Sequence, residues 1–298
     1  MNRGARRPTL ARVTVLEVIK RSAGFLARRG VESPRLQVEL LLSHVLKLPR
    51  MRLYLEFERV LSGAELEVLR ALIQRRGGRE PLQHLLGSVS FCGVEIETTR
   101  AALIPRPETE QLAELAWNHV ARECPGAASL VDFGTGTGCL AIAIALHAPA
   151  ASVHALDISG DALALARRNA ARHQLDLRIA FHLGDGLEAL PAATRVEVIV
   201  ANPPYIPTAD IDALEPEVRD HDPRLALDGG ADGLDCFRAL ARLAPGFLNP
   251  GGAFIAEFGD GQAVALRGLF SRAPWRVDRV ARDLSGRERF LIARVAGP

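Results

Sequence analysis

The sequence predicts an α/β protein: a seven-stranded, mostly parallel sheet covered by helices on both faces, preceded by a small helical bundle and a linking β-hairpin. Three observations predict it. From Ser129 onward, short apolar runs of strand length alternate with stretches of helix length. The first of these runs opens directly into a glycine-rich turn, Gly134-Thr135-Gly136-Thr137-Gly138. Upstream of residue 80 the apolar residues instead recur at helical spacing.

That helical spacing, between Val13 and about Arg76, is carried by Leu36, Leu40, Leu41 and Val45, and then by Leu66, Leu69, Leu72 and Ile73. Ser33-Pro34 reads as a cap followed by proline in the first turn, and Ser62 with Glu65 three residues on as a capping box. Residues 1–80 are accordingly assigned to a helical N-terminal domain. After Gly77-Gly78 the pieces 84–86, 89–92 and 94–98, separated by glycines, read as extended segments, which gives a hairpin linker over 81–104. Within the domain assigned to 105–298, strands are expected near 129–133, 152–157, 178–183, 196–201, 252–258, 276–283 and 288–295. Helices are expected near 139–148, 161–174, 232–246 and 261–271, with Asp161 reading as a cap. The strand cores SLVDF, VEVIVA and AFIAEF suit a parallel sheet buried on both faces. The last two strands have no long helix between them and are expected to pair antiparallel at one edge.

Composition sets limits on function. With 48% hydrophobic and 24% charged residues among 298, the chain is an ordinary folded one with no low-complexity block. The basic start MNRGARRPTLARV is followed by no apolar core with a small-residue cleavage site, so no export signal is expected. The longest apolar run, CLAIAIAL from Cys139 to Leu146, falls well short of the roughly 20 residues that cross a bilayer and reads as a buried helix. Cys92, Cys124, Cys139 and Cys236 form no CxxC pair and have no histidine cluster at zinc spacing. No metal and no membrane contact are expected, and a cytoplasmic location fits. The net charge of +2 conceals a split: residues 1–80 carry 17 Lys and Arg against eight Glu, whereas residues 81–298 carry 20 against 27 Asp and Glu. A basic first part facing an acidic partner, protein or nucleic acid, is one reading, and a solvated arginine-rich surface is the other.

The glycine-rich turn follows Asp132-Phe133 and leads straight into the apolar helix, at the carboxyl end of a strand where open α/β sheets bind nucleotides. Its glycines fall on alternate residues and no Lys-Ser/Thr follows, which points away from phosphates. The second strand ends in Asp157-Ile158, where a carboxylate accepts hydrogen bonds from both ribose hydroxyls. The third ends in Asp185-Gly186, within reach of an adenine amino group. These positions indicate an adenosine without naming the cofactor. The alternate glycines and the acidic second-strand end resemble S-adenosylmethionine-dependent methyltransferases of the Rossmann-like class I fold, whose seven-stranded sheet ends in an antiparallel hairpin.

The fourth strand ends in Asn202-Pro203-Pro204-Tyr205. Pro203 holds Asn202 extended, and neither proline has an N–H, so carbonyl oxygens here are left to accept. A planar amide or exocyclic amine is a poor nucleophile, and its N–H groups need acceptors that aim the nitrogen at the methyl carbon. The Asn202 side-chain oxygen and the Pro203 carbonyl suit that task, and Tyr205 is placed to stack on the planar group. This motif resembles amino-methyltransferases acting on planar nitrogens and does not separate adenine-N6 enzymes of DNA or RNA from glutamine-N5 enzymes of proteins.

Two upstream stretches separate them. Glu80-Pro81-Leu82-Gln83-His84-Leu85-Leu86-Gly87, with Phe91, and Leu103-Ile104-Pro105-Arg106-Pro107-Glu108-Thr109-Glu110 are similar to the HemK-like protein-(glutamine-N5) methyltransferases, over about residues 12 to 295. The resemblance implies S-adenosylmethionine as cofactor and S-adenosylhomocysteine as product. It implies class-1 peptide chain release factors as the protein substrate, methylated on the glutamine of a Gly-Gly-Gln loop, which supports translation termination. Carried over, it places the cofactor at Gly134 through Gly138, Asp157, Gly186 and Asn202, with Ile158 and Asp185 at the same strand ends, and the substrate amide at Asn202 through Tyr205. Arg106 and Glu108 have a separate physical reading: the rigid Pro-Arg-Pro segment holds a charge over the site's mouth or staples the hairpin to the sheet through a salt bridge. One departure stands out: Gly186 occupies a position where relatives often carry a large aromatic. The alternatives are a ribosomal-protein glutamine methyltransferase and a nucleic-acid adenine methyltransferase. The last would need aromatics interleaved with its basic residues, and the first 80 residues offer only Phe25, Tyr54 and Phe57. Residues 217–223 read as a lid or a surface loop, with His221 as a hydrogen-bonding loop residue.

Overall fold

The computed structural model describes residues 13–124 and 126–297. The basic segment before Val13, on which the expectation of no export signal rests, lies outside the described residues. The chain divides into two compact units, with the break between Leu86 and Gly87.

The first unit is helical: α1 (Val15–Arg28), α2 (Pro34–Leu46), α3 (Arg50–Leu53), α4 (Gly63–Gly77) and α5 (Leu82–Leu86). Thr14 and Ser62 close capping boxes with Glu17 and Glu65, each satisfying two backbone donors at a helix start. Ser33 stands at the cap of α2 but makes no side-chain cap bond; its backbone is left-handed, where a capping residue is ordinarily extended. Val15, Leu26, Val38, Leu41, Leu42 and Leu53 are fully buried in the core of this unit. Residues 84–86, expected as extended, lie in the helix Leu82–Leu86: Leu85 N–H bonds back to the Pro81 carbonyl, and five residues are too few to display a period in the sequence.

The second unit begins with an antiparallel hairpin, β1 (Ser88–Phe91) and β2 (Val94–Glu97). Helix α6 (Pro107–Glu123) follows, then β3 (Ser129–Phe133), α7 (Cys139–His147), β4 (Ser152–Asp157), α8 (Gly160–Arg172), β5 (Ile179–Leu183), β6 (Val196–Ala201) and the short α9 (Pro216–Arg219). The chain ends with α10 (Asp235–Leu243), β7 (Leu248–Glu257), α11 (Ala263–Phe270), β8 (Trp275–Arg282) and β9 (Glu288–Val295). The seven strands β3–β9 form one sheet in the order β5-β4-β3-β6-β7-β9-β8, with β3–β7 parallel and β9 antiparallel to both neighbours. Alternate residues of each central strand face opposite cores. Leu130, Val198, Val200 and Ile255 pack with α6 and α7 on one face, and Val131, Ile199, Phe254 and Phe258 pack with α10 and α11 on the other.

Three differences from the sequence expectation have local causes. Helix α6 was not foreseen, because Arg106-Pro107-Glu108-Thr109-Glu110 looks like a loop; Pro107 is instead its first helical residue, and acids in its first turn favour the helix dipole. The cap of α8 is Ser159, whose hydroxyl accepts from Ala162 N–H, and Asp161 sits inside the first turn. Strand β7 starts at Leu248, four residues before the expected 252: Leu248 pairs with Val196 and Ala253 with Val198, so the Asn249–Gly252 stretch bulges between them.

Candidate active site

The carboxyl ends of β3, β4, β5 and β6 converge on a cavity of about 510 Å³. The strand order places β3 at the centre, where the chain winds one way toward β4 and β5 and the other way toward β6, and this reversal opens a crevice. Gly134, Thr135, Gly136 and Thr137 line it after β3, Asp157 and Ile158 after β4, Asp185 and Gly186 after β5, and Asn202 and Pro204 after β6.

The turn after β3 is made of backbone. Gly134, Gly136 and Gly138 all have left-handed φ, at 72°, 54° and 81°. The Gly134 and Thr135 N–H groups donate to the Leu156 carbonyl, and Gly136 N–H donates to Asp157 Oδ2 at 2.8 Å, so the loop is locked to the end of β4. Asp157 Oδ1 accepts from Ser159 N–H. Burial raises the Asp157 carboxyl while these backbone donors lower it. Gly138 does not line the cavity. A Cβ there would meet the Ala166 Cβ at 3.1 Å, so this glycine lets α7 approach α8.

Behind the loop, Asp132 is completely buried and accepts from Thr135 Oγ1 at 2.6 Å and from Ala141 N–H at 3.1 Å, both through Oδ2. Burial pushes its carboxyl up to about 7, and Oδ1 has no donor among the described residues. Cys236, on α10, also lines the cavity, and burial with Asp185 nearby pushes its thiol up to about 12.

At the other end, Asn202 Nδ2 donates to Thr109 Oγ1 at 3.1 Å. Thr109 Oγ1 donates in turn to Glu257 Oε2 at 2.9 Å, a bond buried on both sides. The Tyr205 hydroxyl reaches Glu257 Oε1 at 3.3 Å. Neither Pro203 nor Tyr205 lines the cavity: Pro203 is buried, and the Tyr205 ring packs against the apolar cluster that holds Phe258. Burial and the Glu257 charge raise the Tyr205 hydroxyl, which keeps it a hydrogen donor. The Tyr205 carbonyl accepts from Gln262 Nε2.

Arg106 lines the cavity, and its guanidinium is bound to the buried Asp222. Glu108 faces a second, acidic cavity on the far side of α6, with Glu110, Glu114 and Asp283. His221 Nδ1 lies 3.2 Å from the Arg100 guanidinium, a loop contact. The cavity thus gathers most of the expected site residues and leaves out Gly138, Pro203, Tyr205 and Glu108. Sequence reasoning did not single out Thr109 or Glu257. The signal for Glu257 was present in AFIAEF, an apolar strand ending in a carboxylate, like the one that drew attention to Asp157.

Comparison with known proteins shows the family. Residues 17–87 match the family model described as the PrmC N-terminal domain, and residues 113–217 match the methyltransferase small domain. A release factor glutamine methyltransferase of Geobacter sulfurreducens is 45% identical over 282 residues, spanning 95% of this chain and 97% of that protein. Its counterpart from Deinococcus radiodurans is 44% identical over 283 residues, spanning 94% and 98%. A methyltransferase crystal structure from Pyrococcus furiosus, 16% identical, covers 69% of this chain and 90% of its own with a TM-score of 0.50, a likeness of fold alone. Among the described residues no helix is long and apolar enough to cross a membrane. With such identity along nearly the whole of both chains, the chain belongs to the release factor glutamine methyltransferase family.

Proposed function

We propose that the chain transfers a methyl group from S-adenosylmethionine to the side-chain N5 of the glutamine in the Gly-Gly-Gln loop of class-1 peptide chain release factors, leaving S-adenosylhomocysteine. One observation carries the chemical part of this reading. Asn202 stands at the edge of a glycine-walled cavity with its side-chain nitrogen bonded to Thr109, so its oxygen is the atom left to accept from an incoming N–H. The names of the relatives supply the substrate.

The cavity fits the cofactor. The orphaned Oδ1 of Asp132 is a buried acceptor beside the loop and suits an ammonium group, directly or through water. Asp157 keeps lone pairs for ribose hydroxyls beyond the two backbone donors it holds, and Asp185 suits an adenine amino group. Ile158, 45% exposed beside Asp157, supplies an apolar face for the base, where Gly186 offers none. Bound S-adenosylmethionine supplies a methyl carbon attached to positively charged sulfur.

The chain's own residues then act by orientation. A glutamine amide nitrogen has its lone pair delocalised into the carbonyl, and holding its two N–H groups fixes the nitrogen's direction. Asn202 Oδ1 takes one, and a carbonyl of the Pro203-Pro204 pair takes the other. These acceptors lie where positive charge develops as the nitrogen gains a carbon, and a strong general base is not required because the proton becomes acidic at that stage. Tyr205 props the turn from behind through Glu257. Arg106 holds the loop that follows the motif, through Asp222, and the basic residues of the helical unit suit an acidic protein surface.

The test is mass spectrometry of a release factor co-expressed with the chain. A mass increase of one CH₂ on the loop glutamine, abolished by Gln→Ala in that loop, is expected. Methylation of adenine in nucleic acid with the release factor untouched would replace this reading by the nucleic-acid one, and methylation of a ribosomal protein alone would move the substrate to that branch.

A further inference from the structure

Among the groups surrounding the site, one buried carboxylate has no part in holding either ligand. Glu257 is 2% exposed and ends β7, where Ala256 pairs with Ala201 immediately before Asn202. A carboxyl buried this far costs stability unless it is fully bonded, and its bonds go to the two ends of the Asn-Pro-Pro-Tyr turn: through Thr109 to Asn202, and directly to Tyr205.

The direction of these bonds matters more than their number. An ionised carboxylate only accepts. The single hydroxyl proton of Thr109 therefore goes to Glu257, and the Thr109 oxygen offers only lone pairs to Asn202. Only the NH₂ half of the Asn202 amide can face it, and the oxygen half is turned the other way. With a donor or an apolar group at position 257, the Thr109 proton would be free to bond Asn202 Oδ1, the amide would turn over, and an NH₂ would meet the NH₂ of the substrate. Burial, with Glu108, pushes the Glu257 carboxyl up to about 7, while the bonds from Thr109 and Tyr205 and the Arg289 charge favour its ionised form, so the relay is the arrangement of the ionised carboxylate, present as pH rises past about 7. Thr109 itself is fixed in the first turn of α6 and is 3% exposed, so the relay has little freedom to rearrange.

We propose that Glu257 is a positioning residue which, acting through Thr109, sets the orientation of the Asn202 carboxamide so that its oxygen faces the substrate nitrogen. This rests on the reading of Asn202 as the acceptor for a planar amide.

Two measurements test it. The first needs no turnover: side-chain ¹⁵N NMR of the full chain should show one Asn202 Nδ2 proton protected from solvent exchange, in wild type and in Thr109→Ser. Protection should be lost in Thr109→Val, which keeps the shape without the oxygen, and in Glu257→Leu. An Asn202 amide that is unprotected in wild type, or protected equally in Glu257→Leu, would overturn the relay. The second is a kinetic cycle with a release factor. Thr109→Val should lower kcat by about tenfold to hundredfold with KM little changed, and should lower the melting temperature because Glu257 loses a buried donor; Thr109→Ser should restore both, kcat to within about threefold, and in an Asn202→Ala background the valine should cost less than about twofold in kcat. An equal loss in both backgrounds would make Thr109 merely structural and sink the proposal. Wild-type chain that transfers no methyl to the release factor would overturn the substrate reading, and the exchange measurement would then decide the relay by itself.

Discussion

The guanidinium of Arg106 donates to Asp222 Oδ2 at 2.6 Å, joining the residue before α6 to a loop twenty residues beyond Asn202. Asp222 is buried and its carboxyl is raised by burial, which Arg106 opposes. Removing only the cation leaves an uncompensated buried acid. Arg106→Ala is expected to destabilise the chain by about 2 kcal/mol, and Asp222→Asn added to it should recover part of that loss. Thermal or urea unfolding of the two variants checks this; equal stabilities would mean that Asp222 does not depend on its partner.

Stability should vary with pH through Glu257. Burial pushes its carboxyl up to about 7 from an ordinary 4.5, so the folded chain holds the proton more tightly than the unfolded one. The folded state is favoured by this group at low pH, and that contribution is lost as pH rises from near 4.5 through about 7. Glutamine at this position carries no charge at any pH. The melting temperature of Glu257→Gln relative to wild type should therefore shift upward between about pH 5.5 and about pH 8, and a difference that stays constant over that range would contradict the raised carboxyl.

Two glycines of one turn should fail in different ways. A Cβ on Gly138 meets Ala166 at 3.1 Å, whereas a Cβ on Gly134 meets nothing within 4 Å, and both residues have positive φ. Each alanine carries a backbone penalty of about 1 kcal/mol, and Gly138→Ala adds a collision between α7 and α8. Gly138→Ala should lower the melting temperature markedly more than Gly134→Ala. Gly134→Ala should weaken S-adenosylmethionine binding more than its stability loss explains, as read by calorimetric titration; the reverse order would be inconsistent with the packing.

Asp157 is bonded by two N–H donors, so replacing one oxygen by NH₂ must set a donor against a donor. Asp157→Asn keeps either the Gly136 or the Ser159 bond and loses the other. S-adenosylmethionine affinity is expected to fall by about tenfold or more while helix content is unchanged. Unchanged affinity would remove Asp157 from the site.

Asn202→Ala tests the opposite compartment. Cofactor affinity should remain within about threefold of wild type while kcat falls by about a hundredfold. A collapse of cofactor binding with turnover retained would make Asn202 a structural residue.

How much of this could be read in the sequence follows from how local each feature is. The sheet was legible because apolar strand runs, alternate glycines and strand-end carboxylates are patterns within a few residues, and the edge hairpin followed from the missing helix between β8 and β9. Helix α6 was hidden because Pro107 and its acidic neighbours suit a loop and a helix start equally. The Asn202 motif was visible, yet its supports were not. Thr109 and Glu257 lie 93 and 55 positions away along the chain, and only the pairing of β6 with β7 and the first turn of α6 bring them together. Tyr205 illustrates the same limit: its residue type suggests stacking, while its hydroxyl bond and ring packing turn it toward the core.

The floor of the cavity after β3 consists of peptide groups shaped by Gly134 and Gly136 and fastened to Leu156 and Asp157. A surface without side chains is insulated from most genetic drift, since nearby substitutions that respect the backbone leave it intact. The acceptor end has no such protection. There the recognition surface pairs a backbone carbonyl with one rotatable amide, and under the proposed relay the direction of that amide is set by side chains at positions 109 and 257.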